Sequence, residues 1–262
     1  MLLKHKEYAA MRTLRMRFIL VTLLTIGIPL SNAQEPTDSQ AIGQVVWVKG
    51  TLNAALPNAS SRVLARRSSI YEHDILTTDA TGTGEILFTD DSVLALRADS
   101  VVQIDQYKHG KTTAPSNDAF VAKVAKGGFR TITGTISKNN PGGYKTTTPV
   151  STIGVSGTKY AVNFNPKTKV MVAKLERGSI VISNKAGTLT LVKCNPNSTS
   201  EQRVACTNRL YAEVNGLNAA PTAVQTQSPV FNNEPPLTGT PGTTGTPGPE
   251  PISSGNFKIC AK

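Results

Sequence analysis

Lys126–Val162 reads KGGFRTITGTISKNNPGGYKTTTPVSTIGVSGTKYAV, and this stretch decides the fold class. Glycine and threonine alternate through it with apolar residues. Glycine supplies positive φ or close backbone approach, and threonine suits a pleated, half-buried strand. A segment composed this way is expected to make tight β-turns at fixed places and not to build helices. It also lacks the residues that usually perform covalent chemistry.

The same texture extends outward. Gly43–Lys49 alternates at period two, Glu85–Phe88 and Ser92–Leu96 flank a polar turn at Thr89-Asp90-Asp91, and Ser100–Ile104 alternates again. Tyr160–Phe164, Val170–Leu175, Ser179–Ser183 and Thr188–Val192 follow, with Gly178 and Lys185-Ala186-Gly187 read as turns. Short strands at such spacing predict an all-β domain over residues 41–214, either a sandwich or a solenoid-like coil of rungs. No long helical period is present; Val63–Arg67 could make one short turn, which Ser68-Ser69-Ile70 closes.

The ends of the chain read differently. Lys4, Lys6, Arg12, Arg15 and Arg17 precede an apolar run from Phe18 to Leu30, and Ser31-Asn32-Ala33 places small residues where a signal peptidase reads. Residues 1–33 are therefore expected to be a signal peptide cut between Ala33 and Gln34. The run falls short of the ~20 residues that span a bilayer, so the cleaved product is not expected to be an integral membrane protein. No second hydrophobic segment follows. Five basic and one acidic residue leave with the signal, so the formal charge of +11 becomes +7. The remaining cations are scattered and carry no aromatic ladder, which argues for a solvated surface and against nucleic acid. Residues 219–255, rich in Thr, Pro and Gly, read as a disordered linker, and 256–262 as a short terminal segment bearing Cys260.

Cys194 and Cys206 bracket a polar loop, and a disulfide closing it would contribute about 2–3 kcal/mol. Cys260 is the odd one, free to exchange, to link two chains or to remain a thiol. No metal site or cofactor site is expected: there is no Cys-x-x-Cys, and His73 and His109 lie far from the cysteines in sequence. Ser156-Gly157-Thr158-Lys159 matches Ser-x-x-Lys, yet the partner motifs of that chemistry and the helix it needs are missing. His73-Asp74 are adjacent in an extended stretch and point apart. Asp90-Asp91 reads as a polar hairpin tip. Trp47, Tyr71, Tyr107 and Tyr144 could stack on sugar rings but are too few to make a binding ladder. No catalytic set can be assembled, so a non-enzymatic protein is expected.

Several blocks, in order, resemble the FecR domain family. They are Asp74-Ile-Leu-Thr77-Thr78, then Glu85 to Leu96 with Phe88 and Asp90, then Ser100–Ile104. Lys126-Gly127-Gly128-Phe129-Arg130 and Thr148-Pro149 to Gly154, Gly157, Thr158 and Val162 complete the set. The resemblance runs from about Gly43 to Val192. It implies an exported module in the periplasm or at the surface of a Gram-negative cell, binding an envelope protein or polymer. The alternative it implies is a periplasmic signalling partner of an outer-membrane receptor or membrane sensor. Two positions depart from the family: Asp91 stands where Gly is common, which implies a different turn type, and Ser156 where Arg is common. The best-known relatives add a cytoplasmic segment and a transmembrane helix, which the residues before Phe18 are too few to supply. Asp90-Asp91 and Asn139–Gly143 are the expected contact points.

Overall fold

The computed structural model describes residues 40–110, 114–193, 210–224, 228–232, 234, 235 and 237. The expected signal peptide with its Ala33–Gln34 cleavage site, both Cys194 and Cys206, and the terminal Cys260 lie outside these residues.

Fifteen strands follow in order: β1 (Gly43–Lys49), β2 (Leu52–Ala55), β3 (Arg62–Val63), β4 (Ser69–Ile70), β5 (Ile75–Thr78), β6 (Thr83–Phe88), β7 (Val93–Leu96) and β8 (Val101–Lys108). They continue as β9 (Ala119–Ile132), β10 (Tyr144–Thr148), β11 (Ser151–Asn165), β12 (Val170–Asn184), β13 (Gly187–Val192), β14 (Tyr211–Asn215) and β15 (Thr222–Val224). All belong to one hydrogen-bonded sheet that encloses a main apolar core and carries a small second apolar cluster, so the all-β expectation holds. Every pairing among the described strands is antiparallel except β9–β10, which a short helix α1 (Thr135–Asn139) connects.

Three long strands organise the sheet by changing partners partway. β9 pairs β8 and β10 through residues 119–126, then β7 and β11 through 127–132. β11 pairs β10 before Gly157 and β9 after it, while β12 runs beside both halves. β12 in turn pairs β14 before Gly178 and β13 after it.

At each change the buried side of the strand switches. In β9 the buried residues on the main core side are Phe120, Ala122 and Val124, then Phe129 and Thr131. In β11 they are Ser151, Ile153 and Val155, then Thr158, Tyr160, Val162 and Phe164. In β12 Met171, Ala173 and Leu175 give way to Ile180 and Ile182. Side chains alternate strictly along a regular strand, so an inserted residue is needed to move the buried set from odd to even positions. Gly127, Gly157 and Gly178 sit at these points with φ of 60°, 59° and 82°, the left-handed region where a Cβ is strained. Gly127 and Gly157 of the opening stretch therefore bend long strands, where turns were expected, and Gly178 is a bulge, not a turn. Thr135–Asn139 is a helix within a stretch read as helix-free; it is a single turn and a half and carries no hydrophobic period to read.

The core holds the aromatic set Phe88, Tyr107, Phe120 and Tyr144, with Phe120 stacked on Tyr144 at 4.6 Å and edge-on to Phe88 at 5.1 Å. Tyr71 is buried as well, so three of the four aromatics considered for sugar stacking are packing residues, and Trp47 is half-buried in β1. Two described parts of the stretch read as a linker are ordered against the sheet. β15 adds to the edge of β14, and Phe231 is buried. An edge strand takes its hydrogen bonds from its neighbour, so a polar composition does not prevent it from forming.

Candidate interaction surface

The sequence marks of the domain prove to be mostly framework. Asp74 is fully buried, accepts from the Tyr71 backbone N–H at 2.8 Å and forms an ion pair with Arg62, whose guanidinium also lies over the Tyr71 ring. Thr77 sits in β5 opposite Asn53 and Val101. Phe88 is core. Asp90, expected as an exposed contact point, is buried. Its Oδ1 accepts from the Ser92 N–H and hydroxyl at 3.1 and 2.6 Å, and Oδ2 accepts from the Ile136 N–H at 3.3 Å. The α1 N-cap is Gly134, which has no side chain, and Asp90 supplies the missing acceptor from the β6–β7 hairpin. Asp91 keeps the conformation a glycine would take there, with φ of 66°, so the turn needs a left-handed residue with or without glycine.

Thr148 opens the β10–β11 turn. Its hydroxyl accepts from the Val150 and Ser151 N–H groups at 3.3 and 3.1 Å, and Pro149 follows where a fixed φ is tolerated. Gly154 lies in β11 opposite Lys145 and Val181. Thr158 is buried beside the Gly157 bulge, donating to the Ser179 carbonyl at 2.7 Å. Ser156 is exposed, and the Lys159 ammonium pairs with Glu176 at 3.3 Å, so the Ser-x-x-Lys match places no base on a nucleophile. A cleft of about 340 Å³ lined by Glu72, His73, Thr89, Tyr107 and His109 is similarly committed. Its Tyr107 hydroxyl is held by Thr89 and by the Asp90 N–H, Glu72 accepts from the Tyr107 N–H, and His109 meets Asp118 at 3.1 Å. Burial raises the Tyr107 hydroxyl far above its ordinary value, which removes it as a proton donor near neutrality.

Arg130 is the family-mark residue that faces outward into a charged site. Its guanidinium grips Glu176 in a two-pronged contact, Nε to Oε1 at 2.9 Å and Nη2 to Oε2 at 2.7 Å. Lys159 and Lys174 approach the same carboxylate at 3.3 and 3.9 Å. Strand register produces this cluster, because Lys159, Arg130 and Lys174 come from β11, β9 and β12 where these strands pair side by side. Burial alone would raise the Glu176 carboxyl, but the Arg130 hydrogen bonds and the three cations outweigh it and hold the carboxyl below its ordinary value.

A segment from the C-terminal side of the sheet lies across this face. Phe231, 2% exposed, seats against Ala161 and Val172, with Val170, Tyr211 and Val230 around it. The Arg97 guanidinium sits 5.6 Å from the Phe231 ring centre and donates to the Val230 carbonyl. Glu234 takes Lys174 at 3.1 Å and Arg130 at 3.7 Å, and Arg130 Nη1 donates to the Pro235 carbonyl at 3.4 Å. Burial raises the Glu234 carboxyl above its ordinary value, with Lys174 opposing, and burial lowers the Arg97 guanidinium, with Glu234 opposing. Among the described residues Arg97 Nη1 and Glu234 Oε1 are buried with no hydrogen-bond partner. Sequence reading missed this site because Phe231 and Glu234 stand among the polar residues assigned to the linker. The other expected contact, Asn139–Gly143, exposes Asn139, Pro141 and Gly142 but is tied down through Asn139 and Asn140 to Asp118.

No helix among the described residues is long and apolar enough to cross a membrane, and no group of His, Cys, Asp and Glu among them could hold a metal ion. Comparison with known proteins gives one family: residues 74–181 match the sequence model described as FecR protein. No curated protein matches the chain. Two crystal structures of a candidate anti-sigma factor from Parabacteroides distasonis are similar at 15% identity, with TM-scores of 0.39 and 0.40. Each likeness covers 56% of this chain and 56% or 57% of the other, so the chain spans little more than half the length of these neighbours.

Proposed function

Because residues 74–181 carry a FecR domain, we propose that the protein is an extracytoplasmic regulatory module that works by recognising another protein. The partner in this reading is an outer-membrane receptor or a membrane-bound sensor, met in trans from the periplasm. The FecR match is the observation that carries it. The charged site supports it too: Arg130, Lys159 and Lys174 converge on one face of the sheet, and a stretch of polypeptide from the same chain already lies against them. A second use, as a binding module for an envelope protein or polymer without signalling, shares the same surface and differs only in its consequence for gene expression.

Cross-linking in intact cells with the chain as bait, followed by purification from the envelope fraction, tests the reading. A receptor or membrane regulator should be retrieved, and removing it should shift the same transcripts as removing this protein. Recovery of soluble partners alone, with no shared transcript change, would reject the signalling role.

A further inference from the structure

Residues 228–232, 234 and 235 meet the sheet in the manner of a bound peptide. One aromatic ring fills an apolar slot, one carboxylate three positions later reaches two cations, and two backbone carbonyls are taken by arginines. Contacts to main-chain carbonyls are available to any extended segment, and the ring and carboxylate supply selectivity. The face is charge-complementary to such a segment. Arg97, Arg130, Lys159 and Lys174 outnumber Glu176 there, and Glu234 supplies a compensating negative charge.

We propose that this face is a docking site for an extended peptide bearing an aromatic side chain and, three positions on, a carboxylate, and that residues 230–235 fill it in cis until such a segment of a partner protein displaces them. The proposal deepens the regulatory reading, since it names the kind of segment a partner presents. The cis occupant is an imperfect ligand, because Arg97 Nη1 and Glu234 Oε1 stay buried without partners among the described residues. Unsatisfied buried groups weaken a bound state, so a segment that satisfies them competes effectively. A tethered segment acts at an effective concentration on the order of 1 mM, so one with an intrinsic Kd of about 0.1 mM lowers the apparent affinity of a competitor about tenfold.

The probe is a fluorescein-labelled peptide with the sequence of residues 228–237, SPVFNNEPPL, followed by anisotropy. It is titrated into the full chain and into the full chain carrying Phe231→Ala and Glu234→Gln. The doubly substituted chain should bind the peptide about tenfold more tightly than the wild type. Replacing the peptide's Phe with Ala should weaken binding about thirtyfold, and replacing its Glu with Lys should weaken it by a comparable factor. These peptide variants leave the protein untouched, so a folding defect cannot imitate their effect. Glu234→Gln alone, which retains Phe231, should also gain affinity. Equal binding to wild type and to both substituted chains, indifference to the peptide's Phe and Glu, or no binding to a substituted chain of unchanged circular dichroism overturns the proposal. So does a stable dimer formed by the substituted chain with wild type, which would make a second copy the occupant. A membrane partner retrieved without peptide binding rejects this site and keeps the regulatory reading; peptide binding with soluble partners alone does the reverse.

Discussion

Gly157 and Gly178 face one another across the β11–β12 pair, and alanine at each separates two costs that usually arrive together. Gly157 has φ of 59° and open space where a Cβ would go, with no atom within 4 Å. Gly157→Ala therefore incurs the left-handed backbone penalty alone, about 1–2 kcal/mol. Gly178 has φ of 82°, and its added Cβ would lie 2.7 Å from the Gly157 carbonyl oxygen and 3.1 Å from the Thr158 Cα. These are backbone atoms, so relief requires the strand pair to part, and the hydrogen bond from Thr158 to Ser179 lies beside it. Overpacking of this kind adds about 1–3 kcal/mol, which puts Gly178→Ala near 2–5 kcal/mol in total. Asparagine tolerates the left-handed region better than alanine, so Gly157→Asn should recover part of the loss. Urea unfolding followed by circular dichroism measures all three. Equal losses for the two alanine variants, or asparagine no better than alanine at 157, would refute the bulge assignment.

Two further outcomes follow from the structure and a third from the cysteine spacing in the sequence. Asp90→Ala strands the Ser92 and Ile136 N–H groups and should cost about 2–4 kcal/mol by urea unfolding, whereas an exposed hairpin tip would lose under 0.5 kcal/mol. The Asp79 carboxylate accepts from the Thr51 and Thr81 N–H groups and the Thr81 hydroxyl, which lowers its pKa to about 2. Its folded value lies below its unfolded one, so its contribution is present above about pH 4 and is lost as pH falls through 2; a carboxyl NMR titration with a midpoint at the ordinary 3.8 would contradict this. Peptide mapping without reduction should recover Cys194 joined to Cys206, and a map with Cys260 in that bond instead would overturn the pairing.

Much of the strand content was legible because buried and more exposed positions alternate locally, as in β1, β8 and β13, while β6 and the wholly buried β7 were marked by the polar turn Thr89–Asp91 between them. The Gly178 bulge was not, since a single inserted residue breaks the alternation in the same way that a turn does. Asp90 looked like an exposed tip because its partner Ile136 lies 46 residues on, in a helix too short to show a period. The surface around Arg130 was illegible for a similar reason. Glu176 is 46 residues from Arg130, and Glu234 is 60 residues from Lys174, so only strand register brings the charges together. Arg130 itself was flagged by the FecR resemblance, with no indication of what it would hold.

Strands that serve both halves of the sheet make the domain indivisible. β9, β11 and β12 each give half their length to one set of neighbours and half to another. Any cut at the bulges would leave two fragments with open edges and severed cores, neither able to fold alone. Hydrogen exchange of amides on either side of Gly157 should consequently be lost in one concerted event. Recombination during evolution is constrained in the same way: a chimaera must inherit these three strands as a block, and new capability is most readily acquired at the two ends of the chain or in the loops.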